Sequence, residues 1–205
     1  MARTVSHQIA DHTLRDRQRD LTRRVITDAL ATVVVRDGVA ELSMQAVADE
    51  AGCSLRTLYR HFGSREDLLA GLDAEADAFL RACFDRALST GGDDLARVLE
   101  DLALQLGARR ELVLAWAAAS PRSVVRGSLH GRVAELVDVA VDRVAPAIAP
   151  EERARVAAAF RLVASGRAWL LLTDQLTDED ASTTAGWIVR TLLAELARGG
   201  RPNPD

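Results

Sequence analysis

Between Ser43 and His61 the chain has room for two short helices and little else. Ser43 and Ser54 are good N-cap residues, each standing just before a short stretch with helical spacing, and Ala51-Gly52-Cys53 lies between them. Gly52 supplies the left-handed backbone that so tight a turn often needs. A helix precedes this pair, with Thr22 as its expected cap, an apolar face of Val25, Ile26, Ala29, Leu30 and Val33, and Gly38 as its stop. Three short helices so close in sequence must bury their apolar sides on one another, through small contacts such as Val47, Ala48, Ala51 and Leu58.

The outward side of the third helix carries Ser54, Leu55, Arg56, Thr57, Tyr59, Arg60 and His61. Hydrogen-bond donors, an aromatic hydroxyl and positive charge on one short helix are what a major groove accepts. Taken alone, Arg56 and Arg60 read more readily as solvated surface charges. Leu58 and Phe62 belong to the core of this unit.

No segment alternates apolar and polar residues as a strand would, so the expected fold is all-α, with about nine helices. Ser64 is placed to cap a long fourth helix, with Glu66 and Asp67 complementing the dipole of its first turn. Further helices are expected over 94–107, 110–119, 122–145, 151–173 and 179–198. Gly91-Gly92, Ser120-Pro121, Pro146, Pro150 and the acidic run from Asp178 mark the joints. The expected organisation is a flexible polar arm over 1–21, a helix-turn-helix domain over 22–65 and a further helical domain over 66–205.

All 26 basic residues are arginine, and the net charge is -4. That excludes a uniformly basic nucleic-acid binder. Residues 1–65 hold 10 Arg and 8 acidic residues, a net of +2, and residues 66–205 hold 16 Arg and 22 acidic residues, a net of -6. A mildly basic head on an acidic body suits a DNA-binding domain whose body stays off the phosphates. No apolar run approaches a bilayer span and no signal-peptide pattern opens the chain, so a cytoplasmic protein without membrane contact is expected. Cys53 and Cys83 form neither a CxxC pair nor a metal pattern, and no metal or cofactor is expected. Phosphate-loop, nucleophile-elbow and zinc-protease patterns are missing. Ser128 and His130 are two positions apart on one helix and point different ways. An all-helical enzyme therefore stays only as an alternative.

The series Thr22-Arg23, Val25-Ile26, Ala29-Leu30, Gly38, Ser43-Met44, Val47-Ala48, Ala51-Gly52-Cys53-Ser54, Thr57-Leu58-Tyr59-Arg60-His61-Phe62, Ser64-Arg65-Glu66 and Leu68 resembles the TetR family of transcriptional regulators. Two departures, Cys53 in place of a common valine and Arg65 in place of a common lysine, keep the physical type. The resemblance implies a function, sequence-specific binding to double-stranded, palindromic operator DNA, and residue roles. Tyr59 and His61 hydrogen-bond phosphates, and Arg65 pairs with phosphate at the start of the fourth helix. Ser43 and Gln45 meet backbone or base, and Leu55, Arg56 and Thr57 face bases, Arg56 reading a guanine.

The body matches the family in helix number and length alone. Its helix at 151–173 is apolar on two sides, Phe160, Val163, Ala164 and Leu171 on one, Leu162, Gly166, Trp169 and Leu170 on the other. The helix at 179–198 repeats this, with Trp187, Thr191 and Ala194 on its second side. A helix apolar on two sides packs on its own domain through one, here the stripe with Phe160, and on a partner through the other, here Leu162, Gly166 and Trp169 with Trp187, Thr191 and Ala194. The resemblance implies a homodimer through a four-helix bundle, with Gly166 allowing a close crossing. It also implies an unidentified small-molecule effector between the fourth and eighth helices. Phe84, Leu102, Leu106, Trp116 and Phe160 are expected as walls, with Arg126 or His130 orienting a polar end. The scarcity of aromatic residues points to an aliphatic or small ligand. The expected outcome is a repressor released by its ligand, and a dimeric regulator without an effector is the alternative.

Overall fold

Gly38, with φ of +85°, ends the first helix, and nothing before it interrupts one. No Gly or Pro occurs between Ala2 and Asp37, and α1 runs over that whole span. The chain, seen in a computed structural model, is described over residues 2–92, 94–120 and 129–200, with side chains from 14 and, in the last segment, from 131. The segment 1–21, expected as an arm, is thus helical from Ala2. Thr22 lies inside α1 rather than capping it, its hydroxyl donating to Gln18 O at 2.9 Å. Val25, expected in the core, is 53% exposed, whereas Ile26, Ala29, Leu30 and Val33 are buried.

Ten helices and no strand occur among the described residues. After α1 come α2 (Met44–Glu50), α3 (Leu55–His61), α4 (Arg65–Gly91), α5 (Leu95–Gly107), α6 (Arg110–Ala119), α7 (Leu129–Val144), α8 (Pro150–Val163), α9 (Gly166–Gln175) and α10 (Asp178–Ala197). Ser43, Ser54 and Ser64 cap α2, α3 and α4, each hydroxyl accepting a backbone N–H three residues on, as their positions promise.

The single helix expected over 151–173 is two helices. Ser165 accepts the N–H of Ala168 as an N-cap, its own hydroxyl donates to Leu162 O at 2.6 Å, and the chain bends by 47° between α8 and α9. A serine that offers the backbone local hydrogen bonds, followed by Gly166, competes with helix continuation. That break accounts for the tenth helix. Among the described residues, no single helix is long and apolar enough to cross a membrane.

Two clusters of buried side chains organise the chain. One joins α1, α2, α3 and the first half of α4, including Leu30, Val47, Leu58, Phe62, Leu68 and Leu72. Leu112, Ala115 and Trp116 of α6 complete this cluster from the body side. The second cluster holds Phe84, Val98, Leu102, Val137, Phe160 and Trp169. Phe79 and Leu80 in the middle of α4 pack against both. The long α4 therefore ties the two cores together, and α6 locks onto the first.

Candidate nucleic-acid interface

The turn between α2 and α3 is set by backbone geometry. Gly52 has φ of +62°, and Cys53 N–H donates to Ala48 O at 3.0 Å. Ser54 Oγ accepts Thr57 N–H at 3.1 Å and lies 2.9 Å from Thr57 Oγ1. Leu58, fully buried, then pins α3 to α1 and α2, and burial of such a side chain contributes about 1.5–3 kcal/mol.

What α3 shows to solvent is narrower than the sequence suggests. Arg56, Tyr59 and Arg60 are exposed, and among the described residues none has a side-chain partner. At spacings of three and four they share one helix face. Ser54 is exposed at the N-terminus of that helix. Leu55 instead lies half-buried against the head core, and the Thr57 hydroxyl is held by Ser54. On α2, Ser43 and Gln45 are exposed, with Gln45 Nε2 donating to Asp49 Oδ1 at 2.7 Å.

The far end of α3 is bound to α1. Arg23 Nη1 donates to His61 O at 2.6 Å, and its guanidinium stacks 4.2 Å from the Phe62 ring centroid. His61 Nδ1 is buried with no hydrogen-bond partner. Burial, and then the charges of Arg60, Arg19 and Arg23, hold the His61 imidazole below the ordinary histidine range. Arg65, at the first position of α4, donates Nη2–H to Val39 O at 2.6 Å, tying α4 to the loop before α2. Its guanidinium thus has a structural anchor within the head, which the sequence did not suggest; a guanidinium carries five N–H donors.

The head meets the body at a joint of charged groups. Arg109, between α5 and α6, donates to Glu75 of α4 at 2.7 Å and forms a close ion pair with Asp28 of α1. Burial works against its charge, but Glu75 and Asp28 hold the guanidinium above its ordinary range. Arg24 of α1 lies 3.6 Å from the same Glu75. Trp116 Nε1 donates to Asp73 of α4 at 2.6 Å, and Thr32 donates to Glu111 at 3.0 Å.

In the body, the expected ligand walls separate. Leu102 and Leu106 line a small apolar cleft of about 50 Å³ with Val163, Gly166, Trp169 and Leu172. Phe84 and Phe160 are fully buried in the surrounding core and do not line it. Trp116 is not in this core at all: its indole packs with the head and is held by Asp73. Arg126 and the side chain of His130 lie outside the described residues. The cleft opens where α8 breaks into α9, a feature hidden by the apparent continuity of the 151–173 pattern.

The expected partner face also divides. Leu162 is 69% exposed and Trp187 62% exposed, and Thr191 and Ala194 are exposed beside them on α10. Leu171, which spacing groups with the inner stripe, is 72% exposed. Trp169 is the reverse case. It is buried in its own chain, its indole N–H donating to Ala103 O at 3.2 Å, and Gly166 is half-buried at the start of α9.

Residues 26–72 match the profile of bacterial regulatory proteins of the tetR family. No curated protein matches the chain. Among solved structures, the TetR family transcriptional regulator PfmR from Thermus thermophilus superposes with a TM-score of 0.63 at 18% identity, covering 82% of this chain and 97% of its own. A TetR-like transcriptional regulator from Rhodococcus sp. RHA1 gives 0.62 at 20% identity, covering 87% and 96%. The TetR family protein CprB from S. coelicolor A3(2) gives 0.55 at 19% identity, covering 87% and 99%. At these identities the likeness is one of fold, and it extends over the body as well as the head. Residues 26–72 thus match the tetR-family profile, and the fold of the whole chain is similar to that of those solved structures.

Proposed function

We propose that the chain is a transcriptional repressor that binds a palindromic operator as a homodimer in the cytoplasm and is released by a small-molecule ligand. The observation that carries the DNA-binding part is the single exposed face of α3, where Arg56, Tyr59 and Arg60 stand together with no internal partner among the described residues. Arg56 is the base-reading candidate, since an arginine is suited to the O6 and N7 of guanine; Tyr59 and Arg60 are suited to phosphates. Ser43, Gln45 and Ser54 stand at the exposed starts of α2 and α3, where backbone phosphates approach helix N-termini.

Dimerisation is supported by the large apolar side chains that the last three helices leave exposed, Leu162, Leu171 and Trp187. Two heads carried on a fixed dimer read consecutive major grooves when their α3 helices stand about 34–36 Å apart. The ligand part is supported by the connection between cleft and head. The cleft is walled by α5, α5 leads directly into Arg109, and Arg109 holds both α1 and α4. A ligand that spreads α5 from α9 shifts Arg109 and tilts α4, moving the heads out of register. By linkage, ligand and DNA then weaken each other by one factor, commonly about 5–150-fold for a coupling of about 1–3 kcal/mol.

The cleft is far below the roughly 300–1,000 Å³ of ordinary ligand pockets. That observation favours a second reading, a dimeric DNA-binding regulator with no effector. One experiment separates the two. Small aliphatic acids, alcohols and amines are screened by thermal shift, and DNA affinity is measured with and without each compound that raises Tm. Release of DNA by a stabilising compound supports the ligand-released repressor. Unchanged affinity at saturation supports the second reading, and tighter affinity a co-repressor.

A further inference from the structure

The part of α1 that precedes the head is exposed at every position from Leu14 to Leu21. From Leu14 to Arg24 it carries five arginines against Asp16 and Asp20. Arg15, Arg19 and Arg23 are spaced by four and therefore share one face, each about 6 Å further along the axis. The orientation of that face is fixed by the structure. Arg23 donates to His61 O at 2.6 Å and covers the Phe62 ring, so the arginine face points toward the C-terminal end of α3. Arg19 is close enough to His61 for its charge, with those of Arg60 and Arg23, to disfavour a proton on the imidazole. The positive edge that begins at Arg60 on α3 thus continues along α1 through Arg23 and Arg19.

We infer that Arg15 and Arg19, in line with Arg23 on α1, form a second DNA-backbone contact that grips phosphates flanking the half-site read by α3. This rests on the DNA-binding reading above. Arg19 and Arg23, like charges spaced by four on one helix face, repel each other, and an anionic partner relieves that repulsion. Among the described residues Arg19 has no acidic partner, so its charge is available. Because the row begins at His61, the anion it meets is the same polyanion that α3 faces. The exposed Leu14, Leu21 and Val25 lie on a different side of α1 and do not interrupt the row.

The test compares wild type, Arg19→Ala, the double variant Arg15→Ala/Arg19→Ala and Arg17→Ala. Arg17 is equally exposed but lies on the opposite side of α1, and it has no acidic partner among the described residues, so it controls for net charge. The probes are the duplex that wild-type protein enriches from a random-sequence pool and a scrambled duplex of equal length. Affinities are measured over a salt series. Each lost phosphate contact lowers the slope of log affinity against log salt by about 0.9, so Arg19→Ala lowers it by about 1.8 for two heads. The double variant lowers it further on both duplexes, base preference stays unchanged, and Arg17→Ala keeps the wild-type slope. Equal slopes for wild type and Arg19→Ala overturn the inference, as do equal losses in Arg19→Ala and Arg17→Ala. Arginine-dependent binding to vesicles of anionic lipid, with the DNA slope unmoved, overturns it in favour of a membrane surface. A wild-type protein that enriches no duplex refutes the DNA-binding reading itself, an outcome distinct from these.

Discussion

The ring of Phe62 occupies the space beside Gly71, its Cε1 atom 2.5 Å from where a Cβ on Gly71 would stand. Phe62 ends α3 and Gly71 lies two turns into α4, so this contact sets how closely α3 is carried on the helix that leads to the body. Phe62 is 2% exposed and covered by Arg23, which leaves the ring nowhere to retreat. Gly71→Ala gains up to about 1 kcal/mol of helix propensity and incurs about 1–3 kcal/mol of overpacking. The expected net result is a Tm lower by a few degrees and weaker operator binding. Thermal denaturation and binding on one preparation check both, and a variant with raised Tm and wild-type affinity contradicts the account.

Trp169 and Trp187 predict opposite phenotypes. Trp169→Ala empties a buried indole and leaves Ala103 O without its donor, at a cost of about 3–5 kcal/mol. Its signature is a large loss of stability. Trp187→Glu, combined with Leu162→Glu, alters only exposed positions, and its signature is monomers in sedimentation with helix content retained. Unchanged dimers in the second variant remove this face as the interface.

His61 confers a pH dependence with a definite sign. Burial, then Arg60, Arg19 and Arg23, depress its folded pKa below the ordinary value near 6.5, so the unfolded chain binds the proton more readily. Its stabilising contribution is complete above about pH 6.5 and is lost as pH falls through the folded value. Denaturation of wild type and His61→Gln between about pH 5 and 8 isolates the effect. The difference between the two curves is expected to shrink in favour of the variant toward the acid end, and parallel curves contradict it.

Arg65 gives a prediction with two readouts. Arg65→Ala removes the 2.6 Å hydrogen bond to Val39 O, which keeps only the Leu42 N–H at 3.3 Å, at a cost of about 1 kcal/mol. It also weakens binding to all duplexes alike if another of its N–H groups meets phosphate. A loss of stability with DNA affinity intact at temperatures where the head stays folded assigns Arg65 a structural role alone.

Much of the head is legible in its residues. Three serines placed before short apolar-periodic stretches are real caps, and the turn at Gly52 is where a positive φ is needed. Local chemistry decides these features, so the sequence carries them directly. The break at Ser165 is a different case. The apolar spacing on its two sides is compatible with one helix, and only the hydrogen bonds of Ser165 to Leu162 O and Ala168 N–H end it. That miss moved Trp169 to the wrong face and hid the cleft. The place of Trp116 was illegible for another reason: its partners Asp73 and the head core are distant in sequence, and periodicity says which side is buried, not against what. The row Arg15, Arg19 and Arg23 was visible as spacing, but its direction depends on the contact between Arg23 and His61.

The exposed face of α3 is the part of the molecule proposed to read base sequence, and one measurement tests that role. Wild type and Arg56→Ala are titrated on the enriched duplex and on a complete set of its single-base-pair variants at fixed salt. The account predicts that wild type discriminates among the variants, and that Arg56→Ala loses about 1–3 kcal/mol of discrimination at one symmetry-related pair of positions while keeping it elsewhere. A wild type that binds every variant equally, or an Arg56→Ala protein with the wild-type pattern of preference, contradicts it.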